Sequence, residues 1–213
     1  GVMVGIVGPS GSGKSTLVKL LQRMYDLEEG RIFVDNIDIS KYNPAAYRRQ
    51  IGTELQENYL FCGTVRDNIA IARPSATNEE IERAARMSGA HDFIVQMKAG
   101  YETVIGERGD SLSGGQRQAV TLLMAALQKP KLLLLDEHTA ALDPKTAEKV
   151  LAYSDRIVEE FQLTTLMITH NMTDAIEHGE RLIMMDGGQI VFDVSGEEKA
   201  GLKKEDLISR YKI

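Results

Sequence analysis

The sequence has 213 residues, 43% of them hydrophobic and 26% charged, which is an ordinary globular balance long enough for one good-sized domain. A formal net charge of -6 argues against a general nucleic-acid binder, and a single cysteine, Cys62, rules out an internal disulfide and fits a reducing compartment. No apolar run approaches the ~20 residues that span a bilayer and no secretory signal is visible, so any membrane role is expected to run through a partner chain.

Val2–Val7 reads as a buried parallel strand, which starts so abruptly after Gly1 that an upstream segment is expected to have been trimmed. It feeds the glycine-rich stretch Gly8-Pro9-Ser10-Gly11-Ser12-Gly13-Lys14-Ser15-Thr16, and a helix is expected from about Lys14 to Met24. This stretch fits the phosphate-loop pattern in the strand–helix setting the pattern requires. Glycines let backbone N–H groups converge on phosphate oxygens, Lys14 adds positive charge, and the Ser15 hydroxyl can ligate Mg²⁺.

Glu29-Gly30 reads as a turn, Arg31–Val34 as a short strand, Tyr47–Gln50 as part of a short helix and Ile51–Leu55 as a strand. Gln56 follows that strand. Its amide could reach Mg²⁺ and an attacking water, although without context it reads as a surface glutamine. Residues 57–128 change character, with apolar residues at helical spacing (Ile81, Ala84, Ala85, Met87) and few strand signals, so a helical insertion is expected. Within it, Leu112-Ser113-Gly114-Gly115-Gln116 offers a hydroxyl and bare backbone N–H groups at an expected helix start, an anion site. The phosphate loop already wraps one nucleotide, so this second element suits a nucleotide held by another molecule.

Lys131–Leu135 is a fully apolar strand ending at Asp136-Glu137, which places carboxylates at the ligand edge of an α/β sheet. Asp136 would hold Mg²⁺ through water, and Glu137 can polarise an attacking water. Asp143-Pro144 is a cap-and-first-turn pair for the next helix. Leu163–Thr169 is another buried strand, ending at His170, which can hydrogen-bond a phosphate and the water-positioning carboxylate; a lone strand-end histidine is more often polar surface. Arg181–Met185 and Gln189–Asp193, joined by Asp186-Gly187-Gly188, read as a hairpin. The alternation implies an α/β fold with a mostly parallel sheet. The histidines and the cysteine make no metal-ligand cluster.

These motifs resemble the nucleotide-binding domain of ABC (ATP-binding cassette) transporters over essentially the whole chain. The resemblance implies a P-loop NTPase core at 1–56 and 129–213 with a helical subdomain at 57–128, and ATP and Mg²⁺ as ligands. It identifies Gly8–Thr16 as Walker A, Gln56 as the Q-loop, Leu132–Asp136 as Walker B, Glu137 as the catalytic carboxylate, Ala141-Leu142-Asp143 as the D-loop and His170 as the switch histidine. Lys14 and Gln56 join Glu137 and His170 in the implied catalytic set. The residues of Leu112–Gln116 become the signature motif, and in a head-to-tail pair each ATP touches Walker A of one copy and Ser113 and Gly115 of the other. The implied partner is a transmembrane domain, which would hold the chain at the cytoplasmic face of the cell membrane.

Two departures shape further expectations. Leu60–Ile69, Gly89–Phe93 and Thr103–Gly109 resemble exporters, especially type I secretion or peptide exporters, and the loop at Glu107 matches the one that contacts the membrane domain. After Gln118 an exporter would continue with an Arg-Ile-Ala-Ile-Ala-Arg-Ala type helix; here Ala119–Ala126, Asp136–Asp143 and Val194–Glu198 resemble a stand-alone ATPase of an uptake-type system. A chimera with its seam near the signature segment is expected. Family members also carry antiparallel strands and an adenine-stacking aromatic ahead of Walker A; neither is in this sequence. The loss of stacking worth ~1–3 kcal/mol implies weakened nucleotide affinity, and the sheet is expected to show an exposed edge. A nucleotide-binding scaffold with little turnover is the alternative function; a DNA-repair or translation ATPase fits less well, because of the exporter-like loop at 103–109 and the acidic balance.

Overall fold

The computed structural model describes residues 1–55, 59–106 and 109–210. Its first strand, β1 (Val2–Val7), is followed by α1 (Lys14–Leu21). A small ribbon, β2 (Phe33–Val34) with β3 (Ile37–Asp38), precedes α2 (Pro44–Arg48) and β4 (Ile51–Glu54). Then come β5 (Gly63–Thr64), α3 (Val65–Ala70), α4 (Asn78–Met87), α5 (Ala90–Gln96), β6 (Val104–Ile105) and α6 (Gly114–Ala126). The chain closes with β7 (Leu132–Asp136), α7 (Pro144–Phe161), β8 (Thr164–Ile168), α8 (Met172–Glu177), β9 (Arg181–Asp186), β10 (Gln189–Ser195), α9 (Gly196–Ala200) and α10 (Lys204–Arg210).

Six strands form one sheet in the order β10-β9-β1-β8-β7-β4. All neighbours are parallel except β10, which runs antiparallel beside β9. The expected α/β class with a mostly parallel sheet is therefore what the chain forms. Strands covered on both faces read as apolar runs, and Leu133, Leu134 and Leu135 are each fully buried. Because β1, β4, β7 and β8 share a direction, their C-terminal ends meet at one edge. Glu54 lies beside Leu135, and Asp136 beside Ile168.

One sheet face packs on α1 through Ile6, Val18, Leu134, Ile168 and Met185. On the other face a larger cluster runs without a break from Leu60, Ile69, Ile81 and Ile94 through α6 to Leu133, Leu135, Met167 and α7. The helical segment and the sheet thus share one core. The α6–β4 contact is close: a Cβ on Gly52 would stand 2.3 Å from the Ala125 carbonyl oxygen. At the outer edge, β10 exposes Ile190 and Val191. No helix among the described residues is long and apolar enough to cross a membrane.

Several local expectations change. The first helix stops at Leu21 rather than Met24, because Arg23 turns to φ 54 and its guanidinium donates to the Tyr42 carbonyl at 2.7 Å. The strand expected at Arg31–Val34 shrinks to Phe33–Val34 and folds back on Ile37–Asp38 across Asp35-Asn36, both at positive φ (51 and 61). That is the turn geometry a right-twisted two-residue hairpin prefers. The stretch expected to be helical also holds the β5–β6 ribbon. The β9–β10 hairpin forms as expected, with Gly187 and Gly188 at φ 52 and 79.

Candidate functional site

The phosphate loop leaves β1 and closes on the first turn of α1. Gly11 and Gly13 hold φ of 80 and 99, which L side chains rarely adopt. Gly8 is confined differently, since a Cβ there would sit 2.3 Å from the Met185 carbonyl oxygen and 2.5 Å from Ser12 Oγ. The β9–β10 hairpin braces the loop, with Gly188 N–H donating to the Ser12 carbonyl at 3.1 Å. Gly13 caps α1 without a side-chain hydrogen bond, so the first amides of this helix keep their orientation for an anion. Lys14 lies buried across the loop, its Nζ donating to the carbonyls of Gly8 (2.7 Å) and Pro9 (3.0 Å) and to Ser12 Oγ (3.3 Å). Burial lowers the Lys14 pKa, and the facing Glu137 and Asp136 carboxylates work against that.

The opposite wall comes from the ends of β7 and β8. Burial raises the Asp136 pKa, the neighbouring Glu137 adds to the rise, and Lys14 opposes it. Glu137 takes φ 51, a left-handed conformation that costs a non-glycine residue on the order of 1–3 kcal/mol. Its N–H donates to the Ile168 carbonyl at 2.9 Å, tying it to β8. His170 Nδ1 stands 3.7 Å from Glu137 Oε2, with the imidazole largely exposed. A cleft of about 380 Å³ is bounded by the loop glycines, Lys14, Ser15 and Thr16 on one side and Glu137 and His170 on the other.

The structure keeps the second glycine-rich element apart from this cleft. Ser113 caps α6 in a reciprocal box: its Oγ accepts from Gln116 N–H at 3.3 Å, and Gln116 Oε1 accepts from Ser113 N–H at 2.9 Å. Accepting that bond uses a lone pair of the Ser113 oxygen and leaves its O–H proton to donate. Ser113 and Gly114 are exposed, and a Cβ on Gly115 would meet Thr146 Cγ2 at 2.5 Å. Asp143 caps α7 by accepting from Thr146 N–H at 3.1 Å, and that hydrogen bonding with Thr146 lowers its pKa. Gln56 and Glu107 lie outside the described residues.

Two of the buried polar residues that escaped the sequence reading adjoin the ligand edge of the sheet. His138, next to Glu137, is buried with Nε2 3.2 Å from Ser154 Oγ, and desolvation drives its pKa down to about 4. Glu54 is buried at the end of β4, where desolvation raises its pKa to about 8 against the hydrogen bonds of Thr121 and Gln118. The signal for Glu54 was the one charged residue in the strand Ile51–Glu54.

A phosphate loop at a strand–helix junction facing strand-end carboxylates defines a P-loop nucleotide-binding domain. The profile of the family described as ABC transporter matches residues 1–140. The chain is 43% identical over 211 residues to the alpha-hemolysin translocation ATP-binding protein HlyB of Escherichia coli O157:H7, covering 99% of this chain and 29% of that protein. It is 44% identical over 190 residues to the cyclolysin secretion/processing ATP-binding protein CyaB of Bordetella pertussis, covering 89% of this chain and 26% of that protein. The solved structure of a bacterial Atm1-family ABC exporter with ATP bound superimposes with a TM-score of 0.84 at 34% identity, over 99% of this chain and 35% of that one. The chain belongs to the ABC transporter family. It spans about a third or less of the length of these relatives.

Proposed function

We propose that the chain is the ATP-binding and ATP-hydrolysing module of an ABC exporter, active as a head-to-tail pair and docked through a transmembrane partner at the cytoplasmic face of the membrane. The observation that carries this is the division of the site. Lys14, Ser15, Glu137 and His170 share one cleft, while Ser113 and Gly115 stand outside it at the start of α6, with Ser113 exposed and Gly115 half-buried. A second copy is needed to unite them. The translocation, secretion and export named for the relatives support the direction of transport.

The residues suit their roles. Loop amides and Lys14 bind the β- and γ-phosphates of ATP, and the ammonium already lies over an oxygen-lined cradle. Ser15 and Asp136 would hold Mg²⁺ with Gln56, and Mg²⁺, when bound, neutralises developing phosphate charge. Glu137 takes up the proton of the attacking water, and His170 aligns Glu137 and the γ-phosphate.

The test is ATP turnover against protein concentration. A steeper than linear rise is expected, because the pair is the active species. Glu137→Gln should keep nucleotide binding and cut turnover by ~10²-fold or more. Turnover at the wild-type rate in that variant would overturn the assignment of Glu137.

A further inference from the structure

Glu54 is a charged residue type spent inside a strand–helix contact. Gln118 Nε2 donates to its Oε1 at 2.5 Å, and the same oxygen is the nearest acceptor of the Thr121 hydroxyl at 2.8 Å, with the Arg117 and Gln118 carbonyls each at 3.1 Å. The second carboxyl oxygen, Oε2, is buried without a hydrogen-bond partner. Among the described residues, Thr165 Oγ1 is the only other buried side-chain atom in that condition. A half-satisfied buried acid is a poor adhesive, since an apolar residue of similar size avoids its desolvation altogether. An unsatisfied group of this kind calls for a reason other than stability.

Its place in the fold supplies one. Glu54 ends β4 beside Leu135, one residue short of Asp136, and Gln56 comes two residues later. Both of its partners belong to α6, the helix that Ser113 caps. Gln118, Thr121 and Ala125 lie on one face of that helix by their spacing. Ala125 meets Gly52, which shares a strand face with Glu54. The strand–helix contact therefore has two parts. A backbone-close contact at Gly52 holds the C-terminal end of α6, and a polar clasp at Glu54 holds the half that leads to Ser113.

We propose that Glu54 is a positioning residue for the ATPase reaction. Through Gln118 and Thr121 it fixes the first turns of α6, and with them Ser113 and Gly115, relative to the strand that leads into Gln56. This rests on the reading of the chain as an ATPase completed by a second copy. Movement at the end of β4 and movement of the opposing-nucleotide contacts then become one motion.

The test uses the full chain and two readouts. The first is amide hydrogen exchange across residues 114–120 in the nucleotide-free protein. The second is the ATP-driven dimerisation constant in a Glu137→Gln background, measured by analytical ultracentrifugation. Glu54→Val should exchange at least tenfold faster over 114–120 and dimerise at least fivefold more weakly, with a melting temperature no lower than that of the parent. Glu54→Gln, which keeps an acceptor for both partners, should retain both values within twofold. Unchanged exchange in Glu54→Val overturns the proposal. Faster exchange spread equally over β7 and α7 with a lower melting temperature overturns it too, since it marks loss of packing alone. If the Glu137→Gln parent fails to dimerise with ATP, the pairing reading falls, while exchange over 114–120 still decides the clasp.

Discussion

Raising the pH from 6.5 to 8 should destabilise the protein through Glu54. Its carboxyl titrates near 4.5 when unfolded and near 8 when folded. Between those values the folded chain holds the extra proton, so stability is highest below pH 4.5 and is lost as pH climbs toward 8. His138 acts with the opposite sign: its folded pKa of about 4 lies below 6.5, so its contribution grows from pH 4 to 6.5 and is constant above. The two largely offset each other between pH 4.5 and 6.5. Above 6.5 Glu54 is left without that counterweight, and 1.5 units at 1.36 kcal/mol each give a loss of about 2 kcal/mol by pH 8. His178, whose pKa its hydrogen bond to Asp155 raises, adds a loss of the same sign. Comparison with Glu54→Gln removes that addition, because only the Glu54 term disappears. The chain has no tryptophan, so urea unfolding is best followed by far-ultraviolet circular dichroism at pH 6.5, 7, 7.5 and 8. The wild-type curve should fall relative to Glu54→Gln by about 2 kcal/mol, or roughly 4–8 °C in melting temperature. Parallel curves for the two proteins over this range would refute the buried neutral acid.

Gly52→Ala should destabilise by about 1–3 kcal/mol in the same assay, because its Cβ would meet the Ala125 carbonyl at 2.3 Å and backbone cannot move aside cheaply. At Gly115 alanine gains about 1 kcal/mol of helix propensity but meets Thr146 Cγ2 at 2.5 Å. Gly115→Ala alone should therefore lower the melting temperature, and adding Thr146→Ser, which deletes that methyl, should restore it. Lys14→Ala should weaken nucleotide binding about ten- to a hundredfold by titration calorimetry, the worth of one charge-assisted contact. Its melting temperature should change little, since the gain from removing a desolvated ammonium is offset by the loss of its bonds to Gly8, Pro9 and Ser12.

The sheet was legible because a strand buried on both faces has no choice but an apolar run. Val2–Val7 and Leu132–Leu135 show it, β8 shows it after its two threonines, and Asp136 and His170 mark the ligand edge. The phosphate loop was legible from glycines whose φ values no other residue adopts cheaply. Two-residue strands such as Gly63–Thr64 and Val104–Ile105 are too short to carry a period, so the ribbon between them was invisible. The capping box of Ser113 and Gln116 is written in the sequence as Ser-x-x-Gln, and it sets the start of the helix that carries the glycine-rich element. The clasp at Glu54 could not be read, because its partners lie 64 and 67 residues away.

The helix α6 also bears on the expected join near Gln118. It runs unbroken from Gly114 to Ala126, its buried residues beginning at Gln118, and the HlyB alignment over 211 residues passes through it. Packing there is continuous at Val120, Leu122 and Leu123, each fully buried. Across the expected join, Glu54 is bonded by Gln118 on the near side and Thr121 on the far side, with its second carboxyl oxygen left without a partner. A misfit inherited from joining unlike sequences and a working clasp both predict that Glu54→Val keeps or gains stability. They part on α6. A misfit leaves exchange over 114–120 unchanged when it is repaired, whereas a clasp gives up protection as stability rises. Stability and positioning pulling in opposite directions at one residue is the pattern expected where function, not folding, retains a costly group.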